Sequence, residues 1–188
     1  MEFRTRRLTL RPARESDLVA MHGILSDPRA MTYWSSLPHD RIEQTRDWLA
    51  SMIAIPPSEG EDFAVELDGK LIGKAGLWRF PEIGFIFHPD YWGRGYAREA
   101  LEFVLDRAFG VHQLPAVTAD VDPRNEGSIR LLARLGFQET GREERTFQIG
   151  HQWCDSVYFE LDAELGKAQI ERADGFPPAL PFRSGRRL

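Results

Sequence analysis

Two glycines lie between an apolar segment and a helical pattern, in the stretch Trp92-Gly93-Arg94-Gly95-Tyr96-Ala97. Backbone N–H groups at a helix start lack partners within the helix and carry a partial positive charge. Because glycine adopts positive φ readily, Gly93 and Gly95 could turn successive N–H groups toward one anion, with the Arg94 charge beside it. A phosphate group suits such a loop. A plain connecting turn explains the same spacing, so the spacing alone leaves both interpretations open.

Two other phosphate-binding motifs do not fit this loop. A P-loop requires Gly-Lys-Ser or Gly-Lys-Thr, and the chain contains neither. A dinucleotide-binding fingerprint needs a third glycine where Arg98 stands. A phosphate-binding enzyme of another class, which would prefer ATP or NAD, is therefore the weaker interpretation.

Other polar residues offer less specific chemistry. Asn125 and Ser128 lie one helical turn apart, where they could contact a ligand or simply cap a helix. The five histidines show no metal-ligand spacing, so we expect no metal site. The single cysteine, Cys154, lacks a setting that would activate its thiol, and we expect it to pack in the core.

The elements that must position these residues follow from the apolar patterns. A helix is predicted over 97–108 and ends at Gly110, and a second over 125–135 has Gly136 as its left-handed cap. The other predicted helices cover residues 17–25, 43–53 and 162–170, and a loop covers 31–38. Strands are predicted over residues 5–10, 63–67, 71–78, 83–87, 117–121, 146–149 and 156–161.

The order of these elements predicts the fold class. Strands and helices alternate, while the Asp68-Gly69 pair and Gly150 predict hairpin turns. We therefore expect a single α/β domain of the α+β type, with a mixed, mostly antiparallel central sheet flanked by helices. This domain is expected to cover residues 1–165, and a partly irregular C-terminal extension covers 166–188.

The composition argues against several classes of protein. The net charge of −5 and the pI of about 5.6 argue against general nucleic-acid binding. The apolar runs are shorter than the ~18 residues of a membrane helix, and the first residues lack the apolar stretch of a secretory signal. We expect a cytoplasmic protein without membrane contact.

The motifs, taken in order, resemble the GCN5-related N-acetyltransferase (GNAT) superfamily over residues 5–161. Within it the chain is similar to the RimJ/RimL-like branch, which acetylates ribosomal-protein N-termini and related amines. Trp92 stands where the wider superfamily prefers Gln or Arg, and Trp is usual in this branch. The motifs that carry the resemblance are Leu8-Thr9-Leu10-Arg11-Pro12, Glu82-Ile83-Gly84-Phe85, residues 88–100, Asn125-Glu126-Gly127-Ser128, Leu135-Gly136-Phe137 and Trp153-Cys154-Asp155-Ser156-Val157.

The resemblance implies an acetyl-CoA-dependent N-acetyltransferase without a metal, in which a primary amine attacks the thioester directly. The sheet is expected to splay between strands 83–87 and 117–121, so that the pantetheine arm pairs with exposed backbone groups. The coenzyme A (CoA) pyrophosphate is expected on residues 92–97. The expected CoA-binding residues are Phe85, Ile86, Phe87, Trp92, Gly93, Arg94, Gly95, Tyr96, Ala97, Asn125 and Ser128.

The resemblance also suggests catalytic residues. Glu82 matches the family's glutamate on this strand and is expected to take the proton from the amine, directly or through water, while Gly84 leaves room beside it. Many relatives protonate the leaving thiolate with a tyrosine, but Leu132 occupies that position, so Ser128 is the candidate acid. A solvated strand-end carboxylate and a capping serine are the plain alternatives for these two residues.

Aromatic residues are the candidate acceptor contacts, although each could equally belong to the core. They are Tyr33 and Trp34 in the loop over 31–38, and Trp78 at a strand end. The acceptor amine could be a protein N-terminus or a small molecule. A catalytically silent acyl-CoA-binding regulatory module is the alternative function, and relatives suggest a possible homodimer.

Overall fold

The computed structural model describes residues 1–166 of the chain. Its strands are β1 Phe3–Arg4, β2 Leu8–Arg11, β3 Glu61–Leu67, β4 Lys70–Arg79, β5 Glu82–Phe87, β6 Ala116–Val121, β7 Gln138–Ile149 and β8 Gln152–Asp162. Its helices are α1 Leu18–Leu25, α2 Ile42–Ile53, α3 Tyr96–Gly110 and α4 Glu126–Arg134, with short 3-10 turns at Glu15–Asp17 and Pro89–Tyr91.

The strands form one eight-stranded sheet in the order β1-β2-β3-β4-β5-β6-β8-β7. Every neighbouring pair is antiparallel except β5 and β6, which are parallel. Helix α3 connects these two strands, because parallel neighbours need a long crossover. The mixed, mostly antiparallel sheet with flanking helices confirms the predicted fold class.

The parallel pair is joined at one position only. Glu82 pairs with Thr118, and the Thr118 N–H donates to the Pro81 carbonyl at 3.0 Å. Beyond this point β5 continues to Phe87 paired with β4 alone. The sheet is therefore splayed between its two central strands, as expected, and one edge of β5 has backbone groups without a β6 partner.

The sheet carries a hydrophobic core on each face. The larger core joins most of the strands to helices α3 and α4, with Leu101, Val104 and Leu132 almost fully buried. The smaller core lies under α1 and includes Met21 and Ile86. Alternate residues of β5 thus belong to opposite cores, as a pleated strand requires.

Several predicted boundaries differ from the structure, and one of them is the start of β8, which lies at Gln152 and not at 156. Residues 5–7 form a turn between β1 and β2, so the prediction of a strand over 5–10 was wrong at its start. Strand β7 begins at Gln138, eight residues before the predicted start at 146. Residues 138–145 are mostly polar and exposed, so they show no apolar alternation that would predict a strand. Backbone pairing with β8 holds them at the edge of the sheet.

The C-terminal predictions can be compared with the structure only in part. Residues 163–166 are helical, and the rest of the helix predicted over 162–170 lies outside the described residues. The same holds for the predicted extension over 166–188, apart from its first residue. Among residues 1–166, no helix is long and apolar enough to cross a membrane.

Candidate active site

The loop before α3 has the backbone geometry of an anion site. Gly93 and Gly95 have φ values of 71° and 79°, the left-handed conformation that glycine adopts most easily. Gly95 is the N-cap of the 15-residue helix α3, and no side chain caps this helix start. The first N–H groups of α3 are therefore left without a side-chain partner beside a left-handed turn, as the glycine spacing predicted.

The tryptophan of this loop ties it to the splayed strand. The Trp92 indole Nε1 donates to the Phe87 carbonyl at 2.9 Å, while half of the Trp92 surface remains exposed. This bond places the end of β5 beside the glycine loop. A ligand lying along the free edge of β5 would therefore reach the start of α3 without interruption.

A cleft of about 880 Å³ joins these features to helix α4 and to the loop over 31–38. Most of the predicted CoA-binding residues line it, as do two of the predicted acceptor contacts. Arg94, Glu82 and Trp78 do not line it. The predicted residues that do are Tyr33, Trp34, Phe85, Ile86, Phe87, Trp92, Gly93, Gly95, Tyr96, Ala97, Asn125 and Ser128.

The start of α4 forms the opposite wall of the cleft. The Asn125 side-chain oxygen accepts the Ser128 N–H at 3.1 Å, so Asn125 is the N-cap of α4. Ser128 lines the cleft, and the hydrogen bond found for it within residues 1–166 is that of its backbone N–H. Leu132, where many relatives have a tyrosine, is fully buried in the larger core.

Glu82 lies at the closed end of the strand gap. Its carboxylate accepts a hydrogen bond from Arg79 at 3.2 Å and its side chain is one-quarter exposed. The expected free space over Gly84 is absent, and that expectation was wrong. A Cβ at Gly84 would lie 3.2 Å from the Trp78 ring and 3.3 Å from the Lys74 ammonium, so these two side chains use the space.

Two further carboxylates share the sheet face of Glu82. Because Glu82 pairs with Thr118, Asp120 two residues further along β6 points to the same face. Partial burial beside the neighbouring strands raises the pKa of Asp120, and the negative charges of Glu82 and Glu143 raise it further against a Ser156 hydrogen bond. Both Asp120 and Glu143 are exposed, so this acidic face is open to solvent.

A buried ion pair lies beside Gly84 of β5. The Lys74 ammonium contacts Asp62 at 2.8 Å, and each side chain is only 3% exposed. The same ammonium lies 5.7 Å from the Trp34 ring centre. Burial raises the pKa of Asp62, and the Lys74 charge opposes that shift. The sequence analysis did not predict this pair, because its two residues lie on separate strands and share no motif.

An arginine connects the two walls of the cleft. Arg124 lies in the loop before α4, with its guanidinium 5.8 Å from the Tyr33 ring centre. The Arg124 guanidinium forms an ion pair with the buried Asp122 carboxylate, and the Arg124 backbone N–H donates to the same carboxylate at 2.9 Å. Burial alone would raise the pKa of Asp122, but these hydrogen bonds outweigh it and lower the pKa. Arg124 was also missed, although its position directly before Asn125 was a usable signal.

The Acetyltransferase (GNAT) domain model matches residues 7–138, about two thirds of the chain. The chain belongs to the GNAT acetyltransferase family. Because the match covers the glycine loop, the splayed strands and α4, the cleft described above lies inside the GNAT domain.

Similar proteins agree with this assignment. The uncharacterized protein YkkB of Bacillus subtilis is 33% identical over 144 residues, which cover 71% of this chain and 83% of YkkB. Spermidine N(1)-acetyltransferase of Escherichia coli K12 is 29% identical over 157 residues, covering 79% and 82% of the two chains. The crystal structure of Vibrio cholerae spermidine N-acetyltransferase with CoA and spermine shares the fold, with a TM-score of 0.74 and 24% identity. The match covers 87% of this chain and 99% of that one.

This GNAT protein is an N-acetyltransferase that uses acetyl-CoA as its donor and an amine as its acceptor. The alternative of a silent acyl-CoA-binding module is not favoured, because the matched relatives include named acetyltransferases. Among residues 1–166, no group of three or more histidine, cysteine, aspartate or glutamate side chains could hold a metal ion.

Proposed function

We propose that this enzyme acetylates a positively charged primary amine, with small polyamine-type molecules as its first class of acceptor. The observation that carries the proposal is the open acidic face formed by Glu82, Asp120 and Glu143 beside the strand gap. Overlapping negative charge attracts cations and raises their local concentration. The name of the spermidine-acetylating relative supports the same class.

The acidic face is formed from neighbouring strands and does not depend on one flexible loop. Asp120 pairs across β6 and β8 with Tyr158, whose hydroxyl donates to Glu143 at 2.7 Å. That bond holds one carboxylate of the face in place, and the pKa of Asp120 responds to the other two. An amine drawn to this face would lie next to the point where β5 and β6 separate.

In the proposed reaction, Glu82 removes a proton from the bound ammonium group, directly or through one water molecule. The neutral amine nitrogen then forms a bond to the thioester carbonyl carbon, the carbon–sulfur bond breaks, and the nitrogen releases its second proton to solvent. The backbone edge at Phe85 to Phe87 has no β6 partner, although Trp92 already donates to the Phe87 carbonyl. Its remaining groups would bind the pantetheine arm, and an N–H of this edge would polarise the thioester carbonyl. The leaving thiolate takes a proton from the Ser128 hydroxyl or from solvent.

The binding part of the proposal assigns the CoA pyrophosphate to residues 92–97. The left-handed glycines and the uncapped start of α3 support this assignment. Asn125 would contact the pantetheine arm while capping α4, because its carbonyl oxygen serves the cap and its amide N–H groups remain available. Tyr33 and Trp34 would contact the acceptor, whereas Trp78 lies outside the cleft.

A protein N-terminus is the second candidate acceptor. The observation that favours it is the RimJ/RimL-like sequence at Trp92 and at residues 153–157. A peptide acceptor would need an open groove, and it would present one positive charge to the acidic face where a polyamine presents several.

An acceptor screen separates the two candidates. The purified protein and acetyl-CoA are incubated with spermidine, with spermine or with a lysine-free peptide that begins with alanine, and release of free CoA thiol is measured. Faster turnover of the polyamines supports the first proposal, and faster turnover of the peptide would replace it with the second. Turnover of neither would contradict both acceptor classes.

Replacing the proposed base should have a large effect on the chemical step. Glu82→Gln keeps the shape of the side chain but cannot accept a proton, so we expect kcat to fall by roughly 10²–10⁴-fold. The dissociation constant for CoA should stay unchanged, because Glu82 does not line the cleft. Steady-state kinetics and calorimetry measure the two quantities.

Glu139→Gln is the matched control, because Glu139 pairs with an arginine three residues away, as Glu82 does. It should leave kcat unchanged. Full activity in Glu82→Gln, or an equal loss in both variants, would show that Glu82 is not the base. The same assay on Ser128→Ala measures the contribution of the proposed acid.

The domain limits, the assembly and the location stay predictions. We propose an acetyltransferase domain over residues 1–165 with an extension over 166–188, a possible homodimer and a cytoplasmic location. Light scattering of the full chain and of a chain ending at residue 165 would report the assembly and the role of the extension.

A further inference from the structure

A side chain from the N-terminal turn contacts the glycine loop from outside the cleft. Arg7 lies between β1 and β2, and its Nη1 donates to the Arg94 carbonyl at 2.9 Å. Its Nε donates to Glu99 at 2.6 Å, and its backbone N–H donates to the other oxygen of that carboxylate at 2.7 Å. The Thr5 hydroxyl also donates to Glu99, at 2.6 Å. These bonds join the N-terminal turn, the first turn of α3 and the loop into one network.

The network fixes the peptide plane at the centre of the loop. The bond between Arg94 and Gly95 is planar, with its carbonyl and N–H groups on opposite sides. Because the Arg94 carbonyl is held on Arg7, the Gly95 N–H is turned away from Arg7. Gly95 lines the cleft, whereas Arg7 and Arg94 do not. Arg7 therefore fixes the direction of a loop N–H group although Arg7 itself does not line the cleft.

The same network neutralises a carboxylate close to the expected anion. Glu99 lies in the first turn of α3, and its side chain is mostly buried. Without Arg7 this negative charge would remain within one helical turn of the pyrophosphate. The guanidinium also stacks on the Tyr96 ring, with 4.6 Å between the carbon Cζ and the ring centre. Its planar fork can satisfy the carbonyl and the carboxylate together, which a lysine cannot do.

We propose that Arg7 is a positioning residue for CoA, which orients the 93–95 loop and neutralises Glu99 so that the loop accepts the pyrophosphate. This inference rests on the proposed assignment of the pyrophosphate to residues 92–97. It predicts a specific loss: the affinity for CoA depends on Arg7, whereas the affinity for pantetheine, which lacks the pyrophosphate, does not.

The test compares the two ligands in the full chain. CoA affinity is measured by calorimetry and pantetheine affinity by ligand-observed NMR, for the parent, Arg7→Met and Arg7→Lys. We expect Arg7→Met to weaken CoA binding by roughly ten- to hundredfold, as loss of charge-assisted hydrogen bonds does, with pantetheine binding unchanged. Arg7→Lys should recover part of the loss, because an ammonium can reach one of the two partners.

Two controls separate the contribution of the network from general damage. Arg14→Met removes an N-terminal arginine that pairs with the exposed Glu2, and it should leave CoA affinity unchanged. The double variant Arg7→Met with Glu99→Gln removes both charges and should bind CoA more tightly than Arg7→Met alone. Thermal unfolding without ligand checks that each variant is folded.

Different results would overturn the role of Arg7 and the assignment of the pyrophosphate to residues 92–97. Equal losses for CoA and pantetheine in Arg7→Met, or no loss for either ligand, would overturn the role of Arg7. If instead Gly93→Glu, whose added Cβ has no atom within 4 Å, binds CoA as tightly as the parent does, the pyrophosphate does not lie on this loop and the premise fails. If Arg7→Met and Gly93→Glu both lose affinity for CoA and keep their affinity for pantetheine, the role of Arg7 and the pyrophosphate assignment are both supported.

Discussion

Two helices begin at the same cleft, but their first turns are completed in different ways. Helix α3 starts after the left-handed Gly95 and has no side-chain cap. Helix α4 starts after Asn125, whose side chain accepts the Ser128 N–H at 3.1 Å. Both starts carry the partial positive charge of a helix dipole, yet only one leaves all of its first N–H groups without side-chain partners.

The difference assigns separate tasks to the two helices. The N–H groups of a start without a side-chain cap are left for water or for a ligand to complete. At α3, Arg7 binds the Arg94 carbonyl of the loop, and Gly93 and Gly95 of the same loop line the cleft. At α4 the cap is internal, and Asn125 and Ser128 line the cleft. We infer that α3 binds charge through its backbone, while α4 contributes side chains.

The largest expected effect comes from placing a negative charge in the loop before the uncapped start. Gly93→Glu adds a carboxylate to the loop proposed for the pyrophosphate and imposes a side chain at φ 71°, with no atom within 4 Å of the added Cβ. We expect the affinity for CoA to fall by about a hundredfold or more, measured by calorimetry, because an unpaired charge would oppose the anion.

The matched control for this variant is Gly69→Glu. Gly69 has nearly the same φ, 77°, and lies in the turn between β3 and β4, with no atom within 4 Å of an added Cβ. It should suffer the same backbone strain without losing CoA. Equal losses in the two variants would attribute the effect to strain and would remove the distinction between the two helix starts.

The capped start should respond in stability more than in affinity. Asn125→Ala removes the oxygen that accepts the Ser128 N–H, and loss of such a cap costs ~1 kcal/mol of unfolding free energy. Asn125→Ser preserves the capping oxygen and should recover most of that stability. Chemical denaturation measures both variants. A large fall in CoA affinity with unchanged stability would contradict the internal role of this cap.

Local constraints explain what the sequence could predict. Gly93 and Gly95 were recognised because positive φ is a property of single residues, and Asn125 because a cap lies next to its helix. The splay between β5 and β6 entered through the family resemblance, since no pattern within either strand encodes a missing neighbour.

Contacts between distant residues explain what the sequence could not predict. Arg7 and Glu99 are separated by 92 positions, and their meeting depends on where β1 and β2 pack against α3. The buried pair of Lys74 and Asp62 likewise depends on strand register. The error at Gly84 has the same origin, because a strand pattern gives the face of a residue but not the side chains that fill the space above it.

The smallest expected effect concerns the carboxylate held behind the uncapped start. Burial alone would raise the pKa of Glu99, but hydrogen bonds from Thr5 and Arg7 outweigh it and keep the pKa below its ordinary value of 4.5. A depressed pKa in the folded state stabilises the protein above pH 4.5, and this stabilisation is lost as the pH falls through the folded-state value.

Glu99→Gln should therefore show a flatter dependence of unfolding free energy on pH than the parent below pH 4.5. The difference should stay under about 1 kcal/mol, because Arg7 is partly exposed and solvent screens the pair. Urea unfolding at a series of pH values measures it, with Glu126→Gln at the exposed first turn of α4 as the matched control. Identical slopes in the two variants would mean that the carboxylates at the two helix starts are equally solvated, against the network inferred around Arg7.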